Sequence, residues 1–134
     1  MNNVLMKVVA VLLGAVVYAF DFLLGPTKLH LLARFYPETT MPTDMSWRVG
    51  VTITISVITF ITFGIAGWAI GRLRPSGGWT WGIWLAVFPA LAEGFLYFID
   101  GVVYPLTLLA SFAAVVAGGI AGAHLGASSR GAAL

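Results

Sequence analysis

The chain alternates long apolar runs with short polar breaks. Four runs stand out, at 4–24, 49–70, 79–99 and 102–125. A hydrocarbon core about 30 Å thick takes about 20 residues of helix, and each run meets that length. The second run, "VTITISVITFITF", alternates β-branched residues with Thr and Ser. In water this pattern argues for a strand. In lipid a lone strand would leave its backbone groups unpaired, at several kcal/mol each, and no other stretch reads as a barrel strand. The pattern therefore predicts a helix, with Thr52, Ser56 and Thr59 on one stripe and Thr62 close to it. Such hydroxyls either bond to carbonyls four residues back or to a neighbouring helix, or they line a hydrated path.

The breaks between runs predict a compact arrangement. "GRLRPSGGW", with Pro75, Gly77 and Gly78, is a tight loop between the second and third runs. Asp100-Gly101 is a corner before the fourth, with Pro105 at the start of the next helix. The longest break, 25–48, opens with "PTKLHLLARFY". Pro26 starts and Pro37 stops a helix there. Leu29, Leu31, Leu32, Phe35 and Tyr36 gather on one side of it, opposite His30, Ala33 and Arg34. That pattern predicts a short amphipathic helix over 26–36, lying at the membrane interface. Asp44 or Ser46 would cap the following helix. The expected fold is an all-α integral membrane protein of four transmembrane helices. They form an up-down-up-down bundle in a single membrane domain, 1–134, with a frayed "ASSRGAAL" tail. Residues 1–19 also resemble a signal peptide ending at Val17-Tyr18-Ala19. The apolar run continues through Leu24, which favours a retained helix.

Composition agrees with the patterning. The 134 residues are 60% hydrophobic and 9% charged, against about half and a quarter in soluble domains. The chain has no cysteine, which removes disulfides, thiolate metal sites and thiol redox chemistry. Two histidines, His30 and His124, are too few for a multi-histidine metal cluster. A net charge of +2 without a basic patch gives nucleic acid nothing to bind. With the N-terminus inside, the inner side carries Lys7, Arg72, Arg74 and Arg130, against Lys28, Arg34 and Arg48 outside. Trp68, Trp79, Trp81 and Trp84 would form an inner aromatic belt, and Tyr36, Trp47, Tyr97 and Tyr104 an outer one. The reading is N-in, C-in, in the cytoplasmic (inner) membrane.

Glu93 is the chemical anomaly. It lies well inside the third run, with Tyr97 one turn on, Asp100 on nearly the same stripe and Asp21 near the same end of the first run. Pro89, one turn before Glu93, leaves the Leu85 carbonyl without its usual helical donor. A charged carboxylate in lipid costs at least about 2.5–3.5 kcal/mol. It can be protonated, pair with a cation of this chain, or meet a cation of a partner. Glu93, Asp100, Asp21 and Tyr97 are accordingly the candidates for a proton or cation site. No H-x-x-x-H or E-x-x-H spacing supports a metal centre, and no cofactor motif is present.

The fourth run repeats small residues every four positions, at Ala114, Gly118, Gly122 and Gly126, and the second has Gly64, Gly67 and Gly71. Small residues let helix backbones approach closely in a membrane, either within one bundle or against another protein. Beyond the lipid bilayer, the expected partner is another membrane protein or a second copy of this chain. The first functional expectation is a non-enzymatic accessory or structural subunit of a membrane complex, acting through these small-residue faces. The alternative is a homo-oligomeric proton- or cation-linked transporter or channel using Glu93 with Asp100 or Asp21. An enzyme ranks last, because no nucleophile stands beside a base.

Overall fold

The structure is a computed structural model that describes residues 2–25, 45–100 and 105–132. Its described residues form four helices: α1 (Asn3–Leu23), α2 (Met45–Leu73), α3 (Thr80–Asp100) and α4 (Pro105–Ala132). Three of them contain segments long and apolar enough to cross a membrane: Asn3–Leu23, Val49–Leu73 and Leu108–Arg130. In α3 the apolar stretch is Thr80–Leu96. The expected interfacial helix over 26–36 and the Asp100-Gly101 corner lie outside the described residues.

Local devices mark the start of α1 and the turn between α2 and α3. Asn2 sits in an extended conformation before α1, and its side chain accepts a hydrogen bond from the Val4 amide at 3.4 Å. This satisfies one of the amides a helix start leaves open. Between α2 and α3, Gly77 and Gly78 adopt φ of 106° and 46°, which a side chain would resist. The Thr80 hydroxyl donates to the Gly77 carbonyl at 2.7 Å, and Trp81 Nε1 donates to the Ser76 carbonyl at 3.1 Å. Trp81 is only 5% exposed, so it does not join the expected inner aromatic belt. Its ring folds under the turn it holds.

Packing is dominated by close approach of backbones. Phe60, Gly64 and Trp68 of α2 meet Gly118, Gly122 and Gly126 of α4 in ascending order, so α2 and α4 run in the same direction. Added side chains at Gly118, Gly122 and Gly126 would strike carbonyls of Phe60, Gly64 and Trp68, and at Gly67 and Gly71 they would strike Gly119 and Ala123. Gly64, Gly67, Gly71, Gly118, Gly122 and Gly126 therefore form the seam between α2 and α4. Ala114, the first member of the expected ladder, is a buried core residue. On its other side α4 packs against α3 where Gly119 faces Gly82.

α1 packs on α3. At Gly14 an added Cβ would collide with the Leu85 carbonyl, the group that Pro89 deprives of its helical donor. The glycine Cα thus faces an orphaned oxygen, the arrangement of a weak Cα–H···O contact. Met6, Ala10, Phe63, Ile70, Trp81, Leu85 and Val115 make the core between the helices. Outward, Leu12, Val16, Ile53, Ile65, Leu91 and Leu109 are exposed. A surface of this kind suits lipid and not water.

α4 extends past residue 125, through the tail expected to fray, as far as Ala132. The reason is tertiary. Arg130 Nη1 donates to the Arg72 carbonyl at 2.8 Å, at the C-terminal end of α2. A cation there also answers the negative end of the helix dipole. Ser128 and Ser129 turn their hydroxyls back to the carbonyls of His124 and Gly126, at 2.8 and 2.9 Å.

Candidate functional site

The polar content of the interior gathers where α1, α2 and α3 meet. Asp21 is 9% exposed although it lies in the last turn of α1, and Thr59 of α2 is 1% exposed. The Thr59 hydroxyl donates to Asp21 Oδ2 at 3.1 Å. From α3, Glu93 is half-buried and shares a side-chain hydrogen bond with the Tyr18 hydroxyl of α1. Asp21 lies within electrostatic reach of both Tyr18 and Glu93. The Tyr18 ring is set by an edge-on contact with Phe88, with centroids 6.2 Å apart and planes at 67°. That contact anchors the ring on α3 little more than one turn before Glu93.

Helix geometry explains the convergence. Tyr18 and Asp21 are three residues apart and share a face of α1. That face continues down through Gly14, Ala10 and Met6, all buried. Close approach at Gly14 brings α1 against α3, so the side chains above it reach across. Thr59 lies ten residues beyond Val49 and fourteen before Leu73, about 15 and 21 Å along the helix. The first of these is half of a hydrocarbon core about 30 Å thick, whereas Asp21 and Glu93 lie two and three residues from the ends of the apolar stretches of α1 and α3, so the cluster sits toward one end of the bundle.

The hydroxyl stripe of α2 divides by role. Thr59 turns to Asp21, while Thr62 bonds back to the Ile58 carbonyl at 2.8 Å. The Ser56 hydroxyl, one turn before Thr59, is buried with no hydrogen-bond partner among the described residues.

Of the sequence candidates, Glu93 and Asp21 are brought together. The side chains of Asp100 and Tyr97 lie outside the described residues. Thr59 belongs to the hydroxyl stripe expected on α2, whereas Tyr18 was not among the candidates for this site. The signal for Tyr18 was present in the four-residue spacing of Met6, Ala10, Gly14 and Tyr18, which marks the inward face of α1. Among the described residues no three His, Asp or Glu side chains converge. What the arrangement offers is two carboxyls and two hydroxyls, all oxygen. Two carboxyls within electrostatic reach of each other in an apolar interior make a place where a proton or a cation could be held.

Comparison of the chain with protein families, curated proteins and solved structures returns no match.

Thr59→Val keeps the shape and removes the donor to Asp21. Taking a donor from a buried acceptor costs about 1–3 kcal/mol, so this variant should melt several degrees below wild type in detergent. Thr59→Ser should recover most of the loss. Equal melting of Thr59→Val and wild type would show that Thr59 does not hold Asp21.

Proposed function

We propose that the chain is a four-span, N-in, C-in membrane protein that handles protons or small cations at the Asp21–Glu93 pair. α3, which carries Glu93, is the remaining span, and the helices alternate up and down. The observation that carries this reading is Asp21, nine-tenths buried, bonded by Thr59 and within reach of Glu93. Acids buried between membrane-spanning helices are costly and mark ion or proton paths in membrane proteins. The orientation rests on Lys7, Arg72, Arg74 and Arg130 lying toward one end, with Lys28, Arg34 and Arg48 toward the other in the sequence. Four helices enclose little space, so the working unit is a homo-oligomer, with the cluster of each copy facing a shared path.

Proteoliposomes carrying an entrapped pH dye test this directly. An imposed proton, sodium or potassium gradient should dissipate faster with the protein than in empty vesicles. Dissipation at the empty-vesicle rate for all three ions would sink the reading.

The accessory-subunit reading stays second, favoured by a separate observation. A shallow apolar groove of about 440 Å³ runs along the outer side of the α2–α4 seam, between Phe60 and Leu125. In that case native mass spectrometry after mild extraction should give the mass of a hetero-complex in place of a homo-oligomer.

A further inference from the structure

The outer face of the α2–α4 seam carries a second feature, independent of the acid cluster. The groove floored by Gly64, Gly118 and Gly122 is bordered by Ile61, Ile65 and Trp68. At Trp68 it joins a second depression of about 530 Å³, lined by Trp68, Ala69, Leu73, Arg72 and Arg130. The two together form a channel that is apolar along the helices and cationic at its end. Arg130 is placed there by its hydrogen bond to the Arg72 carbonyl. The Arg72 guanidinium lies 5.2 Å from the centroid of the Trp68 ring, so the cation and the aromatic wall are held against each other. From Phe60 to Leu73 the helix rises about 20 Å, which exceeds the roughly 15 Å half-thickness of a hydrocarbon core.

We infer that this channel seats one anionic phospholipid, with its phosphate at Arg72 and Arg130 and an acyl chain along the glycine floor. Charge and shape argue for this occupant together. The Arg72 guanidinium, with the Arg130 N–H groups other than the Nη1 already bonded to the Arg72 carbonyl, matches a phosphate by charge-assisted hydrogen bonds. A glycine floor leaves an apolar trough that runs about the length of one leaflet. A hydrophobic helix of another protein would fill the trough but would leave both cations at its end unanswered. The bulk bilayer would cover the same surface without distinguishing headgroup charge.

The test is native mass spectrometry of the full chain in detergent, titrated with dioleoyl phosphatidylglycerol and, separately, dioleoyl phosphatidylcholine. Each cation near an anionic headgroup contributes enough for the wild type to retain one phosphatidylglycerol about tenfold better than phosphatidylcholine. The Arg72→Gln/Arg130→Gln double variant should lose this preference, and Arg72→Lys/Arg130→Lys, which keeps the charges but not the paired donors, should keep only part of it. Ala121→Phe fills the trough without touching either arginine, and should weaken retention of phosphatidylglycerol several-fold. Equal retention of the two lipids by wild type would overturn the inference. So would an unchanged preference in the glutamine double variant, or unchanged retention in Ala121→Phe, which would put the lipid elsewhere. Because the wild-type titration and Ala121→Phe leave Arg130 in place, the answer does not depend on whether the glutamine variant folds.

Discussion

Gly122→Leu is expected to force α2 and α4 apart. A Cβ at Gly122 would meet the Gly64 carbonyl and come within 2.9 Å of the Trp68 amide nitrogen. Both are backbone atoms in the middle of a helix, so no rotamer change relieves the clash. One helix must move as a body, and the contacts of Phe60 with Gly118 and of Trp68 with Gly126 move with it. Overpacking costs roughly 1–3 kcal/mol where side chains can yield, and here they cannot. The loss should reach or pass the upper end of that range, seen as a large fall in melting temperature in detergent. Gly64→Ala is the matched control, because its Cβ would meet only the Gly118 carbonyl, at 3.7 Å, an ordinary contact. It should melt close to wild type. If the two variants fall equally, the register of the α2–α4 pair is not the one described. The contrast also changes how a partner should be sought. Substituting Gly122 would unfold the seam and release any partner indirectly, whereas Ala121 lines the outer groove and leaves the seam intact.

This seam shows how far the sequence could be read. Periodic small residues announced a close helix contact, and the apolar runs located the four helices of the described residues. Neither says which helix meets which, because a ladder of glycines suits a neighbour in the same chain as well as one outside it. Helix ends were the weaker part. α2 already includes Met45–Arg48, ahead of the apolar run, in keeping with a cap expected at Asp44 and not at Ser46, since hydropathy marks where lipid begins and not where a helix does. α4 continues to Ala132 because Arg130 finds the end of α2, a contact 58 residues away in sequence. Trp81 had the composition of an interfacial residue and was claimed by the turn before it. The acid cluster was half legible. Glu93 and Asp21 stood out as charges in apolar runs, but their convergence depends on Gly14 admitting the orphaned Leu85 carbonyl. Tyr18 looked like an ordinary aromatic until its face of α1 was fixed by Met6, Ala10 and Gly14.

Glu93→Gln should reduce any gradient dissipation by the reconstituted protein to the empty-vesicle rate, while expression and melting stay near wild type. Glutamine keeps the size and still accepts the hydroxyl hydrogen of Tyr18. What it removes is the ability to take up and release a proton or to neutralise a cation beside Asp21. Stability should change little, since a carboxyl in this position carries a desolvation cost that the amide avoids. Asp21→Asn makes the same removal at the other acid. If the two carboxyls act as one site, Asp21→Asn should by itself fall to the same rate as Glu93→Gln, because groups that work as a unit fail together. Tyr18→Phe separates positioning from charge. It leaves both acids and takes away the hydroxyl that orients Glu93, so it should slow flux without abolishing it. Flux that survives in Glu93→Gln at the wild-type rate would remove Glu93 from the path. Asp21 and Thr59 would then stand as a structural pair joining α1 to α2, and the outer groove would become the stronger lead to function.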